Sequence, residues 1–382
     1  MRVAVIASRF PWPSYTGDRM RTATWLAALA RHARVALIAP AGEVPAEAPP
    51  FAFFPAARSF SRAARAAFTV IREDLPLQSL LAAPYAWGEA IAAAHRASGG
   101  FDAMVVVLSR ADPWVRGSLD GGVRILDAVD SLQRNAEERE KASSMPMRWL
   151  WREEARRLKN AQRDVAHAYD RIVVVNRDER ADFSSDAVAI PNSVPVLPLD
   201  TAGPRPYDFG FWGRLAYFAN ADAARWLMRE IWPAIRQRLP SATMVLAGAD
   251  APRALVREAR RQPGIELISP VENMSALARS VRVAVMPVRY GSGQATKVLE
   301  AAEAGCAMVA TTRALRGLDS LAPHACIADD AASIARAAAE LLANENVRAA
   351  KAHALRAAVA ANHSRERVLE QLVQIATGTS RS

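Results

Sequence analysis

The chain has 382 residues, of which 51% are hydrophobic and 23% charged, and it carries a formal net charge of +10. That length exceeds one ordinary core and fits two domains, and the composition excludes wholesale disorder. No apolar run reaches the length needed to span a bilayer. The basic balance favours anionic partners such as acidic lipid or phosphate-bearing substrates. Nucleic acid is the weaker choice, because no helix-turn-helix, zinc-finger or RNA-binding signature accompanies the charge. Two cysteines, Cys306 and Cys326, offer neither a disulfide framework nor a metal pattern, which fits a reducing cytoplasm.

Met1 to Ser8 reads as the first strand of a parallel sheet. Its apolar core is too short for a signal peptide, and Arg9, Pro11 and Pro13 follow at once. A loop carrying Gly17, Asp18 and Arg19 then leads into a helical pattern from Met20 to Arg31. Strand, glycine-bearing loop and helix make a ligand-facing turn at the carboxyl edge of a doubly wound sheet, although the dinucleotide fingerprint Gly-x-Gly-x-x-Gly is missing. Strands are expected at Val35–Ala39, Ala103–Leu108, Val123–Leu126, Arg171–Val175 and Ala187–Ile190. Helical segments separate most of them, so the sheet is parallel.

Two stretches of this half differ from core. Arg58 to Arg72 sets Arg58, Arg62 and Arg65 at helical spacing, with Phe60, Phe68 and Ile71 on other positions. Met145 to Arg152 places Trp149 and Trp151 among arginines, ahead of a charged helical run through Tyr169. A basic amphipathic helix with aromatics can lie on an anionic membrane, and it can equally be a domain helix with a solvated face. Proline density from Pro191 to Pro206 marks a linker and domain boundary. The alternation then restarts, with strands at Tyr207–Trp212, Ala242–Ala247 and near Ile265, Val281 and Ala325. Helices are expected over Asn220–Arg238 and Arg253–Arg261, and the tail from Asp330 to Thr377 is almost wholly helical.

The most informative stretch follows the apolar run Val281 to Val288. Gly291 and Gly293 flank Ser292, so backbone can pass close to a ligand, and a helix is expected from near Gln294 to a stop at Gly305. Unpaired N–H groups at that helix start suit a phosphate. Lys297 and Glu300 share one face of the first turn, offering a cation for phosphate and a carboxylate for hydroxyls. The ATP-type phosphate loop is absent, since Thr296 precedes Lys297. A nucleotide carrying a sugar fits this chemistry, while a plain strand–turn–helix with a solvated Lys297–Glu300 pair is the alternative.

Phe211-Trp212-Gly213-Arg214, Asn220-Ala-Asp222-Ala, Glu230-Ile-Trp-Pro233, Pro240 to Gly248, Pro263-Gly-Ile-Glu266 and Lys297-Val-Leu-Glu300-Ala occur in one order. Together they resemble the family 4 GT-B glycosyltransferases, most of all the sugar transferases of bacterial exopolysaccharide gene clusters. Pro11 to Arg19 is similar to the opening of that subgroup. The resemblance implies an α/β GT-B fold: two Rossmann-like doubly wound parallel-sheet domains facing across a cleft, with a C-terminal helix returning to the N-terminal domain. The boundaries are 1–198 for an acceptor-binding domain, 199–362 for a donor-binding domain, and 363–382 for the returning helix and tail.

The resemblance further implies a retaining hexosyltransferase that needs no metal and no cofactor. It would move sugar from a nucleotide-diphosphate donor to a glycan or lipid-linked acceptor, in the cytoplasm or at the inner membrane face. Arg214 and Lys297 would neutralise the diphosphate, and Glu300 would take the ribose hydroxyls. Gly17, Gly213, Gly291, Ser292, Gly293 and Thr296 complete the expected donor site. Three departures stand out. Ser292 occupies the place where the broader family has a glutamate, Leu215 to Asn220 contains no lysine, and Val105 to Arg110 contains no histidine. Asp18 and Asp130 are the positional substitutes for a catalytic group, and each could instead cap a loop or helix. A GT-B nucleotide-sugar epimerase, or a catalytically degenerate nucleotide-sugar-binding partner, are the competing readings.

Overall fold

A computed structural model of the chain describes residues 1–14, 16–199, 203–291 and 293–378. These divide into two compact units, one made of Met1–Asn192 with the chain from Glu366 onward, the other of Ser193–Arg365. The first contains strands β1 (Arg2–Ala7), β2 (Arg34–Pro40), β3 (Ala52–Ala56), β4 (Ala103–Val107), β5 (Val123–Val129), β6 (Arg171–Val174) and β7 (Val188–Ala189). They lie in the order β3-β2-β1-β4-β5-β6-β7, and every pairing is parallel. The second contains β8 (Tyr207–Trp212), β9 (Met244–Ala247), β10 (Ile265–Ile268), β11 (Val281–Met286), β12 (Ala307–Ala310) and β13 (Cys326–Ile327). Their order is β10-β9-β8-β11-β12-β13, again all parallel. Both units are thus doubly wound Rossmann-like sheets, the α/β architecture expected from the alternation.

Burial on both faces explains the apolar runs. Along β1, Val3, Val5 and Ala7 join one hydrophobic cluster while Ala4 and Ile6 join another across the sheet. β4 repeats the pattern, with Ala103, Val105 and Val107 on one side and Met104 and Val106 on the other. A two-residue period with both phases apolar is what a strand covered by helices on each face requires. The second unit has a single core that includes Phe209, Phe211 and Trp212 of β8 and Val283 and Val285 of β11.

Three local differences from the sequence reading have physical causes. β3 is an additional strand, carrying Pro55 at the sheet edge. The segment expected as one helix over Asn220–Arg238 is Phe218–Trp226, a π-helical turn at Leu227–Ile231, and a helix at Trp232–Arg238. Pro233 has no N–H for the carbonyl four residues back, and the wider turn accommodates it. The helix after β11 runs Thr296–Glu303, later than Gln294, whose buried amide donates instead to the Gly317 carbonyl at 2.7 Å.

The tail is three helices, Ala331–Ala343, Glu345–Asn362 and Arg365–Thr377. Val368, Leu372 and Ala376 of the last recur every fourth position and enter the core of the first unit beside Val173 and Ile190. Among the described residues, no helix is long and apolar enough to cross a membrane.

Candidate functional site

In each sheet the strand order reverses once, between β1 and β4 and between β8 and β11. Connections leave such a point toward opposite faces, so a crevice opens at the carboxyl ends of the strands. In the second unit, β8 runs into Gly213-Arg214 and β11 into the glycine loop and helix Thr296–Glu303. The informative stretch of sequence therefore sits at the switch point.

Lys297, in the first turn of that helix, is only 8% exposed. Its ammonium donates to Oδ1 of Asn220 and stands 4.7 Å from the ring centroid of Phe211. The carboxamide nitrogen of Asn220 in turn donates to the backbone carbonyl of Arg214 at 2.9 Å. Burial pushes the Lys297 ammonium down to about 7, with the Glu300 carboxylate opposing the shift. One turn on, Glu300 accepts from the Trp212 indole N–H at 2.9 Å. Burial raises its pKa, and the Trp212 hydrogen bond and Lys297 act the other way. Lys297 and Glu300 are thus turned inward against the end of β8, not solvated on a helix surface.

Gly213 has φ +143°, and a Cβ there would come within 2.9 Å of both the Lys297 Nζ and the Asn220 Nδ2. Gly248, which follows β9, approaches so closely that its Cβ would lie 1.7 Å from the Gly213 carbonyl oxygen. Glycine is demanded at both positions by neighbours and by backbone angle. The Arg214 side chain is half exposed and pairs with Asp250 through Nε at 2.8 Å. Gly291 has φ +118°, Gly293 completes the loop, and Ser292 lies outside the described residues. Ala295 precedes the helix and, being alanine, has no side-chain oxygen to cap it; among the described residues the Val298 N–H is taken by the Ala295 carbonyl at 3.0 Å. Arg289 of the same loop pairs with Asp222 at 2.8 Å and lies 4.6 Å from the centre of the Trp226 ring.

The first unit gathers its polar groups at the corresponding edge. Gly17 opens the helix Gly17–Leu29, and a Cβ added there would meet nothing within 4 Å. Asp18 accepts from the Thr16 hydroxyl at 2.6 Å and faces Arg9 at 3.5 Å, while Thr16 holds the capping position. Arg110 follows β4 and donates to Gln78 at 3.1 Å; its Nε and Nη1 are buried without a hydrogen-bond partner among the described residues. Burial, then the nearby Arg9, hold its guanidinium at about 10. Asp130 follows β5, so the strand order places Asp18 and Asp130 on either side of the β4 end, with Arg110 between them. Beneath them, Asp127 is fully buried and accepts from Arg21 Nε and Trp25 Nε1, both at 2.6 Å.

Asn220 and Arg110 are the two residues that sequence reasoning did not single out. Asn220 lay inside a quoted stretch, but its only signal was being the polar residue nearest the lysine-free gap after Arg214. Arg110 had a signal in its position directly after an apolar strand, the same place that marked Gly213-Arg214.

Residues 206–344, about a third of the chain, match the family model described as "Glycosyl transferases group 1". Among curated proteins, none matches the sequence. The fold is shared with several solved structures over nearly the whole chain. Sucrose-phosphate synthase from Thermosynechococcus elongatus superposes with a TM-score of 0.74 at 15% identity, covering 98% of each chain. HepE of Anabaena, solved with UDP-glucose, gives 0.69 at 11% identity over 99% of this chain and 100% of its own. WaaG, described as a glycosyltransferase involved in lipopolysaccharide biosynthesis, gives 0.67 at 16% identity over 99% and 100%. At these identities the likeness establishes the two-domain GT-B fold.

Proposed function

We propose that the protein is a retaining, metal-independent glycosyltransferase that takes sugar from a nucleotide-diphosphate donor. The observation that carries this reading is the buried Lys297, tied to Asn220 beside Glu300 at the switch point of the second unit. A desolvated cation next to an uncapped helix start is matched to a diphosphate, and a carboxylate one turn along is matched to ribose hydroxyls. The family model covering residues 206–344 supports the transferase class, and the UDP-glucose bound to HepE supports the donor type.

In the proposed reaction the bond from the anomeric carbon to the diphosphate oxygen breaks while an acceptor hydroxyl attacks from the same face. Lys297 and Arg214 stabilise the charge that accumulates on the leaving diphosphate, which is the main electrostatic demand of such a transfer. The departing phosphate oxygen takes the acceptor proton, so no carboxylate pair flanks the bond as in glycosidases. Gly213, Gly291, Gly293 and Thr296 supply backbone at the phosphates and sugar. The acceptor, a glycan or lipid-linked sugar, is assigned to the first unit, where Asp18 and Asp130 border the β4 end.

Calorimetric titration with UDP, GDP, TDP and ADP tests the donor site. One diphosphate should bind, and Lys297→Ala and Glu300→Ala should each weaken it by about tenfold or more, as expected for a lost charge-assisted contact. Absence of binding by all four to folded protein overturns the assignment.

A further inference from the structure

The helix Phe60–Arg72 buries a narrow face through Ala66 and Val70 and leaves its other apolar residues in solvent. Phe60 is 84% exposed, Phe68 67% and Ile71 73%. With Ala64 and Ala67 they recur at steps of three and four, so they form one stripe along the outward side. Arg65 and Arg72 lie together on one flank of that stripe, and Arg62 lies farther round the helix, paired with Glu89. No acidic residue occurs in the helix.

A second segment shows the same composition. Met145 is 70% exposed and Trp149 61%, with Arg148 and Arg152 beside them. Trp151, by contrast, packs on the core and under Arg139, 4.7 Å from its ring centroid. These two segments hold the five most exposed large hydrophobic side chains among the described residues.

The segments are fixed to one another within the first unit. Arg156 makes a two-pronged pair with Asp74 at 2.6 and 2.7 Å, and Arg157 donates to the carbonyls of Leu75 and Val70 at 3.1 and 3.3 Å. Glu154 accepts from the backbone N–H groups of Leu77 and Gln78. Arg58 and Arg72 lie 5.7 and 5.8 Å from the ring centres of Phe60 and Phe68, so charge is held against the aromatic rings themselves.

We propose that this surface docks the protein on an anionic lipid bilayer. The stripe of Phe60, Phe68 and Ile71 enters the boundary between headgroups and acyl chains, Trp149 sits at headgroup level, and the flanking arginines face lipid phosphates. The charge favours this occupant over a second protein. The core of an ordinary protein interface is depleted of charge, whereas the helix that carries this stripe holds three arginines and no carboxylate of its own; Glu89 and Glu73, which pair with Arg62 and Arg72, lie outside it. The inference goes beyond the donor-site reading and does not depend on it.

Cosedimentation of the full chain with vesicles of phosphatidylcholine alone, and of phosphatidylcholine mixed with phosphatidylglycerol, tests the proposal. Binding to the mixed vesicles should exceed binding to neutral ones by about tenfold or more and should fall with added salt. The variant F60S/F68S/I71S should lose about tenfold or more of that binding, since the stripe supplies the inserted area. Because these side chains are exposed, its circular dichroism and donor-nucleotide binding should match the parent. Trp149→Phe should remove a lipid-induced blue shift of the fluorescence. Equal binding to neutral vesicles, no binding to either, or undiminished binding by the triple variant overturns the proposal. So does a concentration-dependent dimer that the same variant abolishes, which would assign the face to a second copy.

Discussion

The ammonium of Lys297 donates to the carboxamide of Asn220, a residue 77 positions earlier in the chain. Asn220 in turn holds the Arg214 carbonyl. One neutral side chain thereby fixes the two cationic positions of the candidate donor site. Asn220→Ala should leave a buried ammonium without its acceptor, at about 1–3 kcal/mol of stability. Urea unfolding measures that cost. Diphosphate affinity should fall with it, and Asn220→Gln should not restore either property, because the longer side chain moves the amide off the Lys297 ammonium and the Arg214 carbonyl.

Lys297 makes stability depend on pH. Its folded value of about 7 lies below the ordinary 10.5, so between those limits the unfolded chain binds more protons than the native one. Stability contributed through this group is therefore full above the unfolded value and is lost as pH falls through the folded one. Lys297→Met should stabilise the protein at pH 6 by about 2–4 kcal/mol, with the gain fading toward pH 10. A gain that is flat across this range would contradict a depressed Lys297.

The same depression predicts proton uptake on donor binding. A diphosphate favours the charged ammonium, so at pH 8 binding should draw a proton from buffer and affinity should fall from pH 7 to pH 9. Titrations in buffers of different ionisation enthalpy report the uptake directly. Lys297→Met should abolish it.

Gly213 and Gly17 should respond oppositely to the same substitution. At Gly213, alanine meets Lys297 and Asn220 with φ at +143°, so Gly213→Ala should cost about 2–3 kcal/mol and weaken nucleotide binding. At Gly17 nothing lies within 4 Å, so Gly17→Ala should leave thermal stability unchanged or slightly raised. If backbone there approaches the substrate, turnover should nonetheless fall. Melting curves with initial rates separate the two effects.

If Glu300 takes ribose hydroxyls, its removal and theirs should not add. Glu300→Ala should weaken UDP by about tenfold and 2′-deoxy-UDP by less, giving a positive coupling in the cycle. Full additivity would place Glu300 away from the ribose. Intrinsic fluorescence should also report the variant, because Trp212 loses its indole partner.

Much of this architecture was legible because local patterns carry it. β11, the glycine loop and the helix after it follow from an apolar run, two glycines and a stop at Gly305. β3 was not, because Pro55 within Ala52–Ala56 argues against a strand, and only its place at the sheet edge makes a missing N–H tolerable. The pairing of Lys297 with Asn220 joins the helices that follow two different strands of one sheet, β11 and β8, and no local spacing encodes it. The helix over Phe60–Arg72 shows a further limit. Periodicity revealed its amphipathic character, but an apolar stripe facing solvent and one facing a core have the same spacing.

The route of the chain sets a timetable for biosynthesis. The sheet of the first unit is complete at β7, yet Val368, Leu372 and Ala376, which cover part of one of its faces, emerge from the ribosome only after the whole second unit. The second unit is continuous and can close its own core while the first still shows apolar surface to solvent or to a chaperone. A chain arrested before Arg365 would carry a finished second unit joined to a sheet with part of one face uncovered. That species, rather than any unfolded state of the complete protein, is where aggregation during expression should begin.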